Sequence, residues 1–401
     1  MSFPYLLFQN FKRQKYKISL HVYRFTGLQV YRFTGLLTYL TLSFSIINSQ
    51  FSIKPIFFVF LPANFLEMKI DKVDQIFDEF KNAKILVIGD VMIDCYLTGK
   101  VTRISPEAPV PIVNVQSRSY RLGGAANVAL NLKSLGADPI LCSVIGSDSK
   151  AKVFYNLMED CDLTSDAIVP MYGRRTTIKY RIIGNNCHIV RVDDERVQQL
   201  KEREKRQFLT TVEQIIDHNE IDAIIFEDYD KGLFSKDLIS EIINFAHKKN
   251  IYVAVDPKEK NFNNYGNVNL FKPNMKELTK GLHMEENVEL TLDEIHEVAK
   301  DFAEKQNIDK VMVTMSAKGI AFYDRQNDKF YHQPAFHRRV SDVSGAGDTV
   351  ISVSTLFLLK GHSVEETCLA SNLAGGLVCE YVGVVPINGA QLKEEIARNT
   401  K

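Results

Sequence analysis

The sequence predicts an α/β fold: a doubly wound, mainly parallel sheet with helices on both faces, carrying a small β-sheet lid. Three observations predict it. Short apolar runs recur, the first ending at Gly89-Asp90, as a buried parallel strand does. Amphipathic stretches of helical period lie between most of these runs. Two helix-free insertions break that rhythm. Strand–helix alternation with short connections gives a parallel sheet covered on both faces, and ligands of such sheets lie beyond the carboxyl ends of the strands.

Residues 84–89 (KILVIG) are the first clean strand, and similar runs follow at 140–146, 223–227, 251–256, 268–272 and 311–315. Helical patterns occupy 125–135, 152–160, 196–217, 236–249 and 291–305. The first insertion, residues 96–122, holds Pro106, Pro109, Pro111 and the β-rich PIVNVQ. The second, 174–193, reads as two strands, TTIKYRII and HIVRVD, around the turn Gly184-Asn185-Asn186. Both leave from the carboxyl side of the sheet, so together they are expected to fold over the strand ends as a lid.

The 401 residues carry equal numbers of basic and acidic side chains, 49 of each. No basic stripe with interleaved aromatics points to nucleic acid. Six scattered cysteines form no C-x-x-C pair, and the nine histidines form no H-x-G-H or H-E-x-x-H motif, so a reduced cytoplasmic protein is expected rather than a disulfide framework or an imidazole metal site. The zero net charge hides an asymmetry. Residues 1–67 hold seven Lys/Arg and the single acid Glu67, leaving 42 basic and 48 acidic residues to the remainder. Within this stretch VYRFTGLQ at 22–29 is followed by VYRFTGLL at 30–37, a tandem octapeptide too short for a repeat architecture. The uncharged run 33–53 is long enough to span a bilayer, yet Thr, Ser, Asn and Gln run through it. Residues 1–67 are therefore expected to be a non-native or disordered extension, with Met68 as the start of the functional domain, 68–401.

The chemistry concentrates in residues 340–349 (VSDVSGAGDT). Gly345 and Gly347 free the backbone to turn tightly, and the apolar segment 348–360 that follows is expected to be a buried helix. A glycine turn opening a helix gathers unpaired N–H groups and the positive dipole end, a place for the charge that develops in phosphoryl transfer, and Asp348 stands ready to accept a hydroxyl proton. An N-capping Asp after a Gly-rich loop explains the same spacing, and on spacing alone the two readings are even. Asp90 and Asp94, just past the first strand, suit paired sugar hydroxyls or a turn. Gly123, Gly124 and Asn127 open a helix with almost no side-chain bulk, for a ligand or for tight packing. Asn274 and Glu277, three apart at a helix start, fit the water shell of Mg²⁺ or a capping box. Lys231, in DYDKG at 228–232, neutralises a phosphate or is simply solvated. No G-x-x-x-x-G-K-[ST] is present, nor a protein-kinase signature.

Taken together these pieces resemble the ribokinase-like (PfkB) family of carbohydrate kinases over residues 68–401. DVSGAGDT at 342–349 is similar to the family's C-terminal signature, LGGAANVA at 122–129 to its glycine signature, and Asn274 to Glu277 to its N-x-x-E magnesium motif. The resemblance implies Asp348 as catalytic base, Gly345, Ala346 and Gly347 as the anion hole, ATP near Ser316, Gly319 and Asn372, and Mg²⁺ held through water by Asn274 and Glu277; it admits a monovalent cation. GDVMID at 89–94, RISPEAPVP at 103–111 and DPK at 256–258 look more narrowly like the heptose 7-phosphate kinase half of bifunctional ADP-heptose synthesis enzymes. That half phosphorylates the anomeric hydroxyl of D-glycero-β-D-manno-heptose 7-phosphate for the lipopolysaccharide core. It implies Asp90, Asp94, Arg103, Gly123, Gly124 and Asn127 at the sugar and its phosphate, with Lys179 and Arg191 proposed from charge and lid position.

The sequence departs from that pattern in three ways. Met315 stands where relatives often carry Arg or Lys, Ser344 replaces the usual Thr, and no H-x-G-H follows. A one-function kinase is expected, served by a separate nucleotidyltransferase, with a phosphosugar and ATP as partners and no membrane or nucleic acid. An open lid edge suggests a homodimer. Another sugar or nucleoside kinase of the same fold, a non-catalytic sugar-binding regulator and a membrane-anchored protein are the competing readings.

Overall fold

The computed structural model describes residues 19–25, 28–34, 63–185, 187–285 and 288–400. Two compact units separate, residues 1–72 with 400–401, and residues 73–399. In the first, the tandem octapeptide supplies two antiparallel strands, β1 (Ser19–Phe25) and β2 (Leu28–Thr34), with Val22 paired to Tyr31. Residues 35–62, which hold nearly all of the run weighed as a membrane anchor, lie outside the described residues, as does Asn186 of the lid turn. No helix of the described residues is long and apolar enough to cross a membrane.

The second unit is entered through α1 (Ala63–Phe80), whose Phe80 ring lies 5.4 Å from that of Phe357. In chain order there follow β3 (Lys84–Gly89), β4 (Val91–Ile104), β5 (Pro111–Gly124), α2 (Ala125–Ser134), β6 (Asp138–Gly146), α3 (Ser149–Asp160), β7 (Ile168–Met171), β8 (Ile178–Gly184) and β9 (Cys187–Asp194). Next come α4 (Glu202–His218), β10 (Ala223–Glu227), α5 (Lys236–Lys248), β11 (Tyr252–Asp256), β12 (Leu270–Phe271), α6 (Met275–Gly281), α7 (Leu292–Gln306) and β13 (Lys310–Thr314). The chain finishes with β14 (Ile320–Asp324), β15 (Lys329–Gln333), α8 (Ala346–Leu359), α9 (Val364–Val378) and α10 (Gly389–Asn399).

Nine strands form the main sheet in the order β15-β14-β13-β12-β11-β10-β3-β6-β7. It is parallel from β7 to β13 and antiparallel only in the outer β13–β14–β15 hairpins. The doubly wound reading therefore holds. β3 and β10 are central because their apolar stretches, Ile85 to Ile88 and Ala223 to Phe226, are fully buried. The chain winds outward from β3 through β6 and β7, then returns to β10 on the other side of β3, so the order reverses between β3 and β10. A crevice opens at such a reversal, beyond the carboxyl ends.

The lid is a separate four-stranded sheet in the order β5-β4-β8-β9. Its first two strands run beyond the bounds the sequence suggested. β4 starts at Val91, directly after the first main strand, and β5 runs to Gly124, the residue before α2. Two other elements differ from expectation. Helix α4 starts at Glu202 rather than 196, where the Glu204 carboxylate accepts from the Lys201 backbone N–H at 2.8 Å. The strand expected over 268–272 pairs only at Leu270 and Phe271, since Pro273 follows at once.

Candidate active site

The carboxyl ends of three strands bring acids together. Glu227, the last residue of β10, pairs in register with Gly89 of β3 on one side and Asp256 of β11 on the other. Asp90 follows Gly89, and its backbone N–H donates to the Glu227 carbonyl at 3.1 Å. Helix α8 then adds Asp348, so that carboxylate oxygens of Glu227, Asp256 and Asp348 lie within 4.8 Å of one another, all three residues buried.

Asp348 sits in the first turn of α8. Gly345, its N-cap, has φ 82° and no side chain caps the helix. A Cβ at Gly345 would meet the Asn127 amide nitrogen at 2.9 Å, so both the left-handed backbone and the contact call for glycine. The Ala346 N–H turns back to the Val343 carbonyl at 3.3 Å and Thr349 N–H donates to the Gly345 carbonyl at 3.0 Å, which leaves the turn at Gly347 as an N-terminal anion cradle. The Asp348 carboxylate accepts from the Asn127 amide at 2.8 Å and from the Tyr229 hydroxyl at 2.7 Å. Burial raises its pKa above the ordinary carboxyl value, and those two donors pull against the rise. Such a group is a stronger proton acceptor than a solvated carboxylate.

Lysines line the same place. Lys272 is buried with its ammonium 2.8 Å from Asp256, and a Cβ at Gly347 would lie 3.5 Å from that Asp256 oxygen. Lys258 bonds to Glu277, lies 3.8 Å from the other Asp256 oxygen and stacks 5.1 Å over the Tyr229 ring. Burial opposes the charge on both lysines, yet the surrounding carboxylates hold them protonated more firmly than usual.

On the β3 side, Asp90 accepts from the N–H groups of Tyr229 and Lys231 at 3.0 and 3.1 Å. Its other oxygen has no hydrogen-bond partner and lies 4.0 Å from Arg174, at a pocket lined also by Thr176, Thr177 and Lys231. Burial first, and the charge of Asp228 second, push its pKa up to about 6. Gly123 and Gly124 pair with Met92 and Val91 at the foot of the lid, and Gly124 takes φ 63° as it starts α2. Asn127 therefore projects from the first turn of α2 directly at Asp348.

The remaining predicted residues fall into three groups. Asp94, Lys179 and Arg191 belong to the lid and are paired there: Asp94 with Arg181, Lys179 with Asp193 at 3.1 Å and Glu195 at 3.4 Å, and the exposed Arg191 with Asp193 at 2.9 Å. Arg103 is exposed in the outer part of β4, nine residues along the strand from Asp94. Asn274 and Glu277 form a full capping box on α6, each side chain bonding the other's backbone N–H at 2.9 Å. Further along the sheet, Ser316 and Gly319 make the turn before β14, and Asn372 of α9 donates to the carbonyls of Gln333 and Pro334 at 3.2 and 2.8 Å. Ile320 pairs with the same Gln333, so the Gly319 turn and Asn372 converge there. Met315 is buried in the main apolar core.

Sequence reasoning passed over Glu227 and read Asp256 and Tyr229 only as parts of short motifs. The available signal was an acid closing each of two neighbouring apolar strands, AIIFE and YVAVD.

A model of the pfkB family of carbohydrate kinases matches residues 82–388. Among curated proteins, the Bifunctional protein HldE of a Helicobacter pylori strain is 39% identical over 300 residues, covering 75% of this chain. The protein of that name in Methylobacillus flagellatus is 38% identical over 312 residues, 78% of this chain. This chain spans under two thirds of each, 63% of their length. Among solved structures, phosphofructokinase-2 from Escherichia coli in complex with potassium superposes with a TM-score of 0.65 at 19% identity, covering 80% of this chain and 99% of that one. Arabidopsis thaliana ribokinase complexed with ribose and ATP gives 0.58 at 17%, covering 78% and 99%. These two likenesses share the fold.

Proposed function

The chain belongs to the pfkB family of carbohydrate kinases, and from that membership we propose that it transfers the γ-phosphoryl group of ATP to the anomeric hydroxyl of D-glycero-β-D-manno-heptose 7-phosphate. The observation that carries the reaction type is Asp348, a buried carboxylate aimed by Asn127 and Tyr229 at the uncapped start of α8. The acceptor is read from the GDVMID, RISPEAPVP and DPK segments and from the 38–39% identity to the HldE proteins.

In the proposed step the anomeric oxygen attacks the γ-phosphorus as its proton passes to Asp348, and the bond to the bridging oxygen of ADP breaks. Each Asp348 oxygen keeps a lone pair beyond the one used by Asn127 or Tyr229, so the acceptor hydroxyl has a place to donate. The backbone amides at Gly345 to Gly347 face the charge on the transferring group. Asp90, with one oxygen free, takes sugar hydroxyls. Ser316, Gly319 and Asn372 lie at the nucleotide end, and Asn274 and Glu277 stand at the water shell of Mg²⁺. When bound, that ion neutralises phosphate charge. The lid excludes water, and the exposed Arg103 supplies its positive charge toward the 7-phosphate, Lys179 and Arg191 being neutralised by Asp193 and Glu195.

The same reading makes residues 68–401 the catalytic domain of a cytoplasmic homodimer, paired through the lid edge, whose product goes to a nucleotidyltransferase. A coupled ADP-release assay of the full chain tests the substrate. Heptose 7-phosphate is expected to drive turnover; strong turnover with ribose or adenosine and none with the heptose would overturn the assignment in favour of a sister kinase.

A further inference from the structure

Asp90 and Asp348 come from separate elements, the end of β3 and the first turn of α8, and one short turn reaches both. That turn, residues 228–232, follows β10 and is built to keep its shape. The Asp228 carboxylate accepts from the Asp230 N–H at 2.8 Å, the Asn261 amide at 3.0 Å and the Tyr265 hydroxyl at 2.8 Å. Gly232 takes φ 93°, and a Cβ there would meet the Gln198 carbonyl oxygen at 2.3 Å, so glycine is required. Arg174 bonds the carbonyls of Gln198 and Lys231 at 2.9 and 3.0 Å, closing the turn from outside.

Within it, Tyr229 spends both of its donors on carboxylates. Its backbone N–H goes to Asp90 at 3.0 Å and its hydroxyl to Asp348 at 2.7 Å. One residue therefore bridges the acid read as the sugar holder and the acid read as the base. Asn127, the other donor to Asp348, differs: its amide oxygen is buried and unpartnered, open to a ligand. Tyr229 has no donor left over for one. The Lys258 ammonium lies 5.1 Å over the Tyr229 ring while bonded to Glu277, which braces the ring. Burial first, and the Asp348 charge second, push the phenol pKa well above its ordinary value, so the hydroxyl stays a donor at neutral pH.

We propose that Tyr229 is a positioning residue that fixes the spacing of Asp90 and Asp348, so that a sugar held at Asp90 presents its acceptor hydroxyl to the base. The proposal deepens the kinase reading and rests on it for the sugar; the bridge between the two carboxylates does not depend on it.

Tyr229→Phe removes one of the two bonds and keeps the other. In the full chain with ATP, the KM for heptose 7-phosphate should stay within about threefold, because the N–H to Asp90 remains. The kcat should fall about ten- to a hundredfold, the usual worth of a hydrogen bond to a charged group. Loss of a donor raises the pKa of Asp348, so the acid limb of the kcat–pH profile should move up by about one pH unit. Glu227, Asp256 and Lys258 also face Asp348, and this substitution leaves all three in place. Wild-type kcat overturns the proposal, and so does a lowered melting temperature with a raised KM and an unmoved acid limb, the mark of a merely structural role. Urea unfolding reads the bridge without any sugar. Tyr229→Phe should raise the unfolding constant at least about fivefold more in wild type than in an Asp348→Ala background, where its partner is gone. Equal effects in the two backgrounds overturn the bridge. Coupled unfolding with no ADP release from any sugar would sink the kinase reading and leave the bridge standing.

Discussion

The strand-end site and the lid both bury charged side chains, yet they treat them in opposite ways. In the lid every buried ion has a counter-ion at hand: Asp94 meets Arg181, and Lys179 meets Asp193 and Glu195. At the strand ends Asp90, Glu227 and Asp256 each keep an oxygen with no donor. Closed pairs hold a sheet in shape; open carboxylates hold a place for something that arrives. Charge density alone therefore does not mark the reacting centre. Neighbouring carboxylate oxygens without donors distinguish the strand ends from the lid.

Three experiments break or sharpen this contrast, taken from the largest expected effect. Asp348→Asn should lower kcat by about 10²–10⁴-fold, the usual worth of a general base, with nucleotide binding and melting temperature retained. Near-wild-type turnover would remove Asp348 from the chemistry. In the lid, Arg181→Met should act on stability instead, costing about 3–5 kcal/mol in urea unfolding because Asp94 is left buried and unpaired. A loss below about 1 kcal/mol would mean that the lid charges behave like exposed ones.

The smallest effect is a pH dependence. Asp90 has its folded pKa raised to about 6, so the folded state holds that proton more tightly than the unfolded chain. Its contribution to stability is fully present below the ordinary carboxyl value and is lost as pH rises through about 6. Melting temperatures of wild type and Asp90→Asn should therefore diverge in favour of the variant between pH 4 and 7. Parallel curves would show that Asp90 is ionised throughout.

Much of this contrast was legible in the residues. The strands at 84–89 and 223–227 stand at the bounds their apolar runs suggest, and both insertions fold into one sheet. Asp348 and Asn127 were legible because glycine and alanine around them thin the chain where two helix starts meet. Glu227 was not, since its importance comes from register with Gly89 and Asp256, and no single-strand window contains three strands. The outer β14–β15 hairpin was missed because both segments are only five residues long and the edge segment KFYHQ is mostly polar. Lys179 and Arg191 looked like free cations because their acids, Asp193 and Glu195, lie close in sequence and read as a solvated run.

The way the lid is rooted has a mechanical consequence. β4 leaves one residue after β3, β5 returns into Gly124 at the head of α2, and both feet adjoin Asp90 and Asn127. Near the feet the Tyr96 hydroxyl accepts from Val384 N–H at 2.8 Å and Arg121 bonds the Val384 carbonyl at 2.8 Å. The ribbon is thus a lever with its fulcrum beside Asp90 and Asn127. Fourteen residues of β4 make an arm of roughly 45 Å, so a tilt of about 5° at Gly124 sweeps the Arg103 end through about 4 Å. Any tilt at the foot would be amplified outward and damped inward, moving the far end far more than Asp90, Asn127 and Asp348.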